Sequence, residues 1–176
     1  NALLSLTTAS NTVAVGDYAL DALTTGGANN AIGYAALGAC TTGNTNDAFG
    51  HGALQTLTTG THNIGIGQSA GNLITTGTHN ISVGPQSGDA ITTGTYNVSM
   101  GVNAGSAITT GTHNVSMGYN AGASVTTATY GIYIGNGTGN GAITGANNIL
   151  MGHATGDALT SGNNNVAIGP SCFTTA

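Results

Sequence analysis

The 176-residue chain contains no lysine, no arginine, no glutamate and no tryptophan. Its acids are Asp17, Asp21, Asp47, Asp89 and Asp157, and charged residues make up only 3% of the chain, against roughly 25% in an ordinary globular domain. Phosphate contact needs cations, so nucleic acid is excluded as a partner, and the anionic face of a membrane is disfavoured for the same reason. Proline occurs twice, and the 31 glycines do not recur at every third residue, which excludes collagen. No apolar run is long enough to span a bilayer, so no membrane insertion is expected. No basic segment leading into an apolar stretch marks a signal peptide.

What the chain does have is a period. Asn63-Ile64-Gly65-Ile66-Gly67-Gln68-Ser69-Ala70-Gly71-Asn72-Leu73-Ile74-Thr75-Thr76-Gly77-Thr78-His79 is one unit, and Asn80 to Tyr96 and Asn97 to His113 repeat it. Sliding this frame in both directions accounts for residues 1–176 as one continuous domain. One column fixes the register: Gly16, Gly33, Gly50, Gly67, Gly84, Gly101, Gly118, Gly135, Gly152 and Gly169 are spaced by seventeen residues with no insertion. A fixed period of this length is the mark of a solenoid. The chain begins and ends inside a repeat and reads as a piece of a longer fibre protein.

The second and fourth positions of the unit are mostly apolar, as in Ile64 and Ile66, Val98 and Met100, or Ile149 and Met151, with a small residue between them. This alternation predicts a strand whose apolar pair faces the core. The small residue between suggests that the other face is crowded too, by another chain. The twelfth position (Leu23, Cys40, Leu57, Ile74, Ile91, Ile108) is a second apolar column and predicts a second short strand. A helix does not fit, because the recurring glycines would each cost about 1 kcal/mol there. The fifth-position glycine is demanded either by a positive φ or by close packing that leaves no room for a Cβ. The leading asparagines, Asn29 to Asn114 and then Asn148 and Asn165, predict a buried ladder of stacked amides. The fold class expected is therefore all-β, a parallel β-solenoid or β-roll of about ten coils. In such an array Cys40 and Cys172 lie roughly 38 Å apart, too far for a disulfide, and both are expected to be buried free thiols.

Asn30-Ala31-Ile32-Gly33-Tyr34-Ala35-Ala36-Leu37 followed by Thr41-Thr42-Gly43, and Asn165-Val166-Ala167-Ile168-Gly169, resemble the head repeats of trimeric autotransporter adhesins and the related repeats of phage tail fibres. The resemblance implies a left-handed parallel β-roll, three chains packed as a homotrimer about a common axis, an extracellular place on a virion or bacterial surface, and a role in attaching to a host. The seventeen-residue period is longer than usual for the adhesins, and Thr-Thr-Gly is more typical of the phage versions, which favours a tail fibre. A self-assembling extracellular filament is the alternative.

The seventeenth position carries His62, His79, Tyr96, His113 and Tyr130 after a Gly-Thr or Ala-Thr step. These residues are expected to be exposed at a turn, either as a ladder that shields the coil edge or as a stripe contacting a cell-surface glycan or protein receptor. A row with one ligand per coil does not make the tetrahedron that zinc prefers, so no metal is expected, and nothing implies a cofactor. The variable sixth position, including Tyr34, His51 and Tyr119, reads as solvent-facing turn. A groove is expected near the irregular coil at Tyr130 and Tyr133. The paired threonines invite an ice-binding reading. Adjacent residues of an extended chain point to opposite faces, however, so only one of each pair joins a flat row while the other bonds to backbone. That reading ranks last. The aspartates do not form a pair suited to glycoside hydrolysis, and no serine has a paired His and Asp. The chain is not expected to be an enzyme.

Overall fold

The computed structural model describes residues 1–174. It is a parallel β-solenoid of about ten coils with a seventeen-residue period. Each coil contributes one three-residue strand: β1 (Val13–Val15), β2 (Asn30–Ile32), β3 (Asp47–Phe49), β4 (Ile64–Ile66), β5 (Ile81–Val83), β6 (Val98–Met100), β7 (Val115–Met117), β8 (Ile132–Ile134), β9 (Ile149–Met151) and β10 (Val166–Ile168). The ten form one parallel sheet in chain order. Each residue pairs with the one seventeen later, as Ile64 with Ile81 and Ile81 with Val98. The twelfth position forms no strand. Its residues nonetheless line the core: Leu23, Cys40, Leu57, Ile74, Ile91 and Ile108 are fully buried, and burial of an aliphatic side chain of this size contributes about 1.5–3 kcal/mol.

The orientation of the strands corrects the sequence reading. The middle residue of each strand points inward: Ala31, Ala48, Ser82, Ser99, Ser116, Tyr133 and Leu150 are fully buried. The apolar second and fourth positions point outward, with Val15 55%, Ile66 41% and Met100 38% exposed. The physical reason is the thinness of the coil. Its interior must also hold the twelfth-position side chain and, in the first three full coils, Leu20, Leu37 or Leu54 at the ninth position. Little volume remains behind the strand, so a small residue goes inward and the large pair goes out.

Both causes proposed for the fifth-position glycine act together. Gly101 has φ +130°, and a Cβ there would stand 2.5 Å from the Gly118 carbonyl oxygen. The fifteenth position is different: Gly77 lacks a positive φ, and only close approach excludes a side chain, since its Cβ would lie 2.5 Å from the oxygen of Gly94.

The asparagine ladder is present and saturated. The Oδ1 of Asn63 accepts from the backbone N–H of Asn80 at 3.0 Å and from its Nδ2 at 3.1 Å. The Nδ2 of Asn80 also donates to the Gly94 carbonyl across its own coil at 2.8 Å. Each interior amide thus uses both donors and both lone pairs, which lets a fully buried polar column stabilise the fold instead of opposing it. The ladder stops at Gly131, whose N–H still donates to Asn114 Oδ1 at 2.8 Å. The missing side chain leaves a space that Tyr133 occupies, because a Cβ on Gly131 would come within 2.5 Å of the Tyr133 ring.

Candidate functional site

Among the described residues, two extended faces and an open hollow stand out. The first face is the outward side of the ten-stranded sheet. The second and fourth positions form two rows, from Val13 and Val15 at one end to Val166 and Ile168 at the other, the last 67% exposed. Asn30 and Asp47 interrupt the first row, where Asn30 Nδ2 donates to Asp47 Oδ1 at 2.6 Å. Met100 and Met117 continue the second row, and each is 38% exposed. Strands spaced by about 4.8 Å make this face about 43 Å long. Contiguous apolar surface of this extent is uncommon on isolated chains.

The second face carries the seventeenth position. His62, His79, Tyr96, His113 and Tyr130 are all exposed, and their rings form an unbroken stack. Centroids lie 4.7 Å apart for His62–His79 and His79–Tyr96, and 4.9 Å apart for Tyr96–His113 and His113–Tyr130. Each residue holds a φ of +57° or +58°, a conformation costing about 1–2 kcal/mol for a residue with a Cβ. Ring stacking returns about 0.5–1.5 kcal/mol per pair. The turn-side ladder expected from sequence is therefore present. It limits what the rings can do, since interior rings spend both faces on their neighbours. Only their edges, with imidazole nitrogens and phenol hydroxyls, remain for a partner.

At the irregular coil the sequence reading needs correction. Tyr133 is fully buried and points into the core, so it lines no groove. Burial alone pushes its phenol up to about 12. The depression sits among the first coils, an open hollow of about 370 Å³ lined by Tyr18, Asp21, Tyr34, Gly38, Gln55 and neighbours. Tyr34 meets Tyr18 edge-on at 5.6 Å and stacks on His51 at 5.1 Å. The signal in the sequence was Gly38, the one glycine at the tenth position, between Asp21 and Gln55.

Neither cysteine is in a disulfide. Cys40 is fully buried, and loss of hydration pushes its thiol up to about 11. Cys172 is only half-buried. The sixth-position residues are exposed, as expected of a turn. Among the described residues, no three His, Cys or Asp side chains converge on a point that could hold a metal ion, and no helix is long and apolar enough to cross a membrane.

Comparison of the chain with protein-family models, with curated proteins and with solved structures finds no match. The fold is a repetitive β-solenoid scaffold of the kind that builds fibres and filaments, and that much rests on the geometry alone.

Proposed function

We propose that this scaffold is a shaft or head segment of an extracellular fibre, on a virion or a bacterial surface, that mediates attachment and performs no catalysis. Three copies pack side by side through their sheet faces. The observation that carries this reading is the outward apolar row at the fourth position, which runs the length of the sheet beside a second row interrupted only by Asn30 and Asp47. The rows stand on either side of the inward-pointing residue, so each is free to meet a different neighbour, as a threefold arrangement requires. Closed symmetric assembly would remove the apolar surface from water without creating new exposed patches. The ring column lies outside the strands and is exposed, and it would stay accessible to a cell-surface glycan or protein receptor.

Sedimentation equilibrium on the native chain tests the assembly, with electron cryo-microscopy to give its symmetry. A threefold column of parallel coils is expected. Ile66→Asn with Met100→Asn should dissociate it while leaving the circular dichroism of the coils intact, since both side chains point outward. A stable monomer, or a filament one chain wide with coils stacked end to end, would overturn the packing. Attachment is tested separately with His79→Ala, Tyr96→Ala and His113→Ala together, which should abolish adhesion to host cells without changing the mass.

A further inference from the structure

The flank beside the ring column holds a feature that the paired threonines of the sequence conceal. In the coils from Asn29 to His113 the thirteenth-position threonine is tied to the scaffold: Thr58 Oγ1 donates to the Thr75 carbonyl at 3.1 Å, and Thr75 and Thr92 repeat this one coil on at 3.2 Å each. The next threonine is exposed, the small residue after it (glycine, or Ala128 in the coil ending at Tyr130) is buried, and the threonine after that is half-buried. Thr76 and Thr78 therefore flank the inward Gly77 on the outside of the coil, as Thr93 and Thr95 flank Gly94. The pattern runs through five consecutive coils, from Thr59 and Thr61 to Thr127 and Thr129. Among the described residues, the hydroxyls of Thr76, Thr78, Thr93 and Thr95 have no partner in the chain, in contrast to the thirteenth position.

The two rows are rigid. The Thr75 N–H donates to Thr92 O at 3.0 Å on one side, and the Tyr96 N–H to Thr78 O at 3.1 Å on the other, and the same bonds recur in neighbouring coils. Threonine is stiff at χ1, so each hydroxyl and methyl is held in place. The mesh repeats every 4.7 to 4.9 Å along the rows, as the adjoining ring stack measures. Residues two apart lie at most about 6.7 Å from each other in a fully extended chain, which sets the upper limit on the separation of the rows. The repeat along the rows approximates an oxygen spacing on a prism face of hexagonal ice. No charged side chain lies in the thirteenth to seventeenth positions of these coils, so nothing draws water into the radial shell that an ion imposes. A surface with fixed, unpaired hydroxyls between fixed methyls loses little freedom when water orders on it.

We infer that the double row from Thr59 and Thr61 to Thr127 and Thr129 is an ice-binding face. Its ligand is crystalline water, held by hydroxyls matched to the lattice and by methyls seated between lattice oxygens. The inference does not rest on the fibre reading, because the rows occupy the fourteenth and sixteenth positions and the sheet the second to fourth.

The test is nanolitre osmometry on the full chain, reading the gap between melting and growth temperatures and the shape of the crystals. Wild type should open a gap and facet the ice. Thr93→Leu with Thr95→Leu should close the gap several-fold, whereas Val102→Asn, an exposed change away from the rows, should not. Thr93→Val with Thr95→Val keeps the shape and removes only the hydroxyls, and is expected to give an intermediate loss. Circular dichroism and sedimentation of the same samples show whether each variant is folded and assembled. Unshaped ice with no gap in the folded wild type would overturn the inference, as would a gap that survives the leucine pair. Either result would leave the assembly measurement standing.

Discussion

The coils between Asn29 and Tyr130 and the coil from Gly131 to Asn147 share one frame but close their cores differently. In the regular coils a saturated asparagine bridges each coil to the next and across itself. In the irregular coil that bridge is absent, and one large ring fills the interior with its hydroxyl buried and unpartnered. The first three full coils show a third solution, with Leu20, Leu37 or Leu54 at the ninth position opposite alanine in the strand. From the fourth to the ninth full coil the ninth position is glycine, and the strand residue opposite becomes serine, tyrosine or leucine in all but the first of these; the last coil pairs Phe173 with Ala167. At Gly139 a Cβ would stand 2.7 Å from the Tyr133 ring. Where the ninth position shrinks to glycine the third position grows in most coils, and in the fourth, where Gly65 and Gly71 are both glycine, Leu54 of the preceding coil packs against both.

The sharpest way to break the regular coils is at the backbone. Gly101→Ala must adopt φ +130° and meet the Gly118 carbonyl, so a loss of about 3–4 kcal/mol or more is expected in urea unfolding. Gly137→Ala in the irregular coil is the contrast: its φ is +62° and nothing lies within 4 Å of a Cβ, so about 1 kcal/mol is expected. Equal losses at the two sites would show that torsion alone governs these glycines.

Next comes the ladder. Asn80→Ala leaves the Gly94 carbonyl, the Asn63 Oδ1 and the Asn97 amide short of partners, and about 2–4 kcal/mol is expected from several unsatisfied buried groups. The irregular coil permits the reverse experiment. Gly131→Asn alone collides with Tyr133, and Tyr133→Ser alone leaves a cavity, so each should destabilise. Together they restore the pattern of the neighbouring coils, and a double-mutant cycle should show favourable coupling of about 1–3 kcal/mol. Additive losses would mean that the ring and the missing amide do not share one space.

Alkali separates the same two regions. Burial raises the Cys40 thiol from 9.0 to about 11 and the Tyr133 phenol from 10.0 to about 12. In each case the folded chain keeps a proton that the unfolded chain gives up, so stability is fully present below the unfolded value and falls as pH rises through the folded one. The loss should begin near pH 9 from Cys40 and near pH 10 from Tyr133. Melting temperatures measured against pH should lose the first part in Cys40→Ala and the second in Tyr133→Phe. An unchanged curve in Tyr133→Phe would show that the phenol is not the group responsible.

Much of this was legible in the sequence. Ten glycines spaced by seventeen gave the strand pairing residue by residue, and the asparagine column gave the ladder. The strand face was not legible, because alternation separates two sides without saying which is inside. Only the room left by Leu37 or Ile74 decides that Ala31 and Ser82 turn in while Ile32 and Val83 turn out. Tyr133 was misplaced for a related reason, since its space belongs to the absent side chain of Gly131. The outward threonine rows were hidden by reading Thr75-Thr76 as the unit when Thr76-Gly77-Thr78 is the one that faces outward.

The smallest expected effect concerns a flaw that both regions share. Ser82, Ser99 and Ser116 bury their Oγ without a partner, as Tyr133 does its hydroxyl. An orphaned buried hydroxyl costs desolvation and returns no bond. Ser99→Ala keeps the Cβ and reproduces the alanine already present at Ala31 and Ala48, and Tyr133→Phe keeps the ring. Each should be neutral or stabilise by up to about 1 kcal/mol. Serine instead of alanine would then be there for its bulk opposite a ninth-position glycine, as at Gly105, whose Cβ would come 2.5 Å from Ser99 Oγ. In that case Ser99→Ala should gain less than Tyr133→Phe, because the oxygen it removes also fills space. A clear loss in Ser99→Ala with a gain in Tyr133→Phe would show that packing volume outweighs hydrogen-bond satisfaction inside these thin coils.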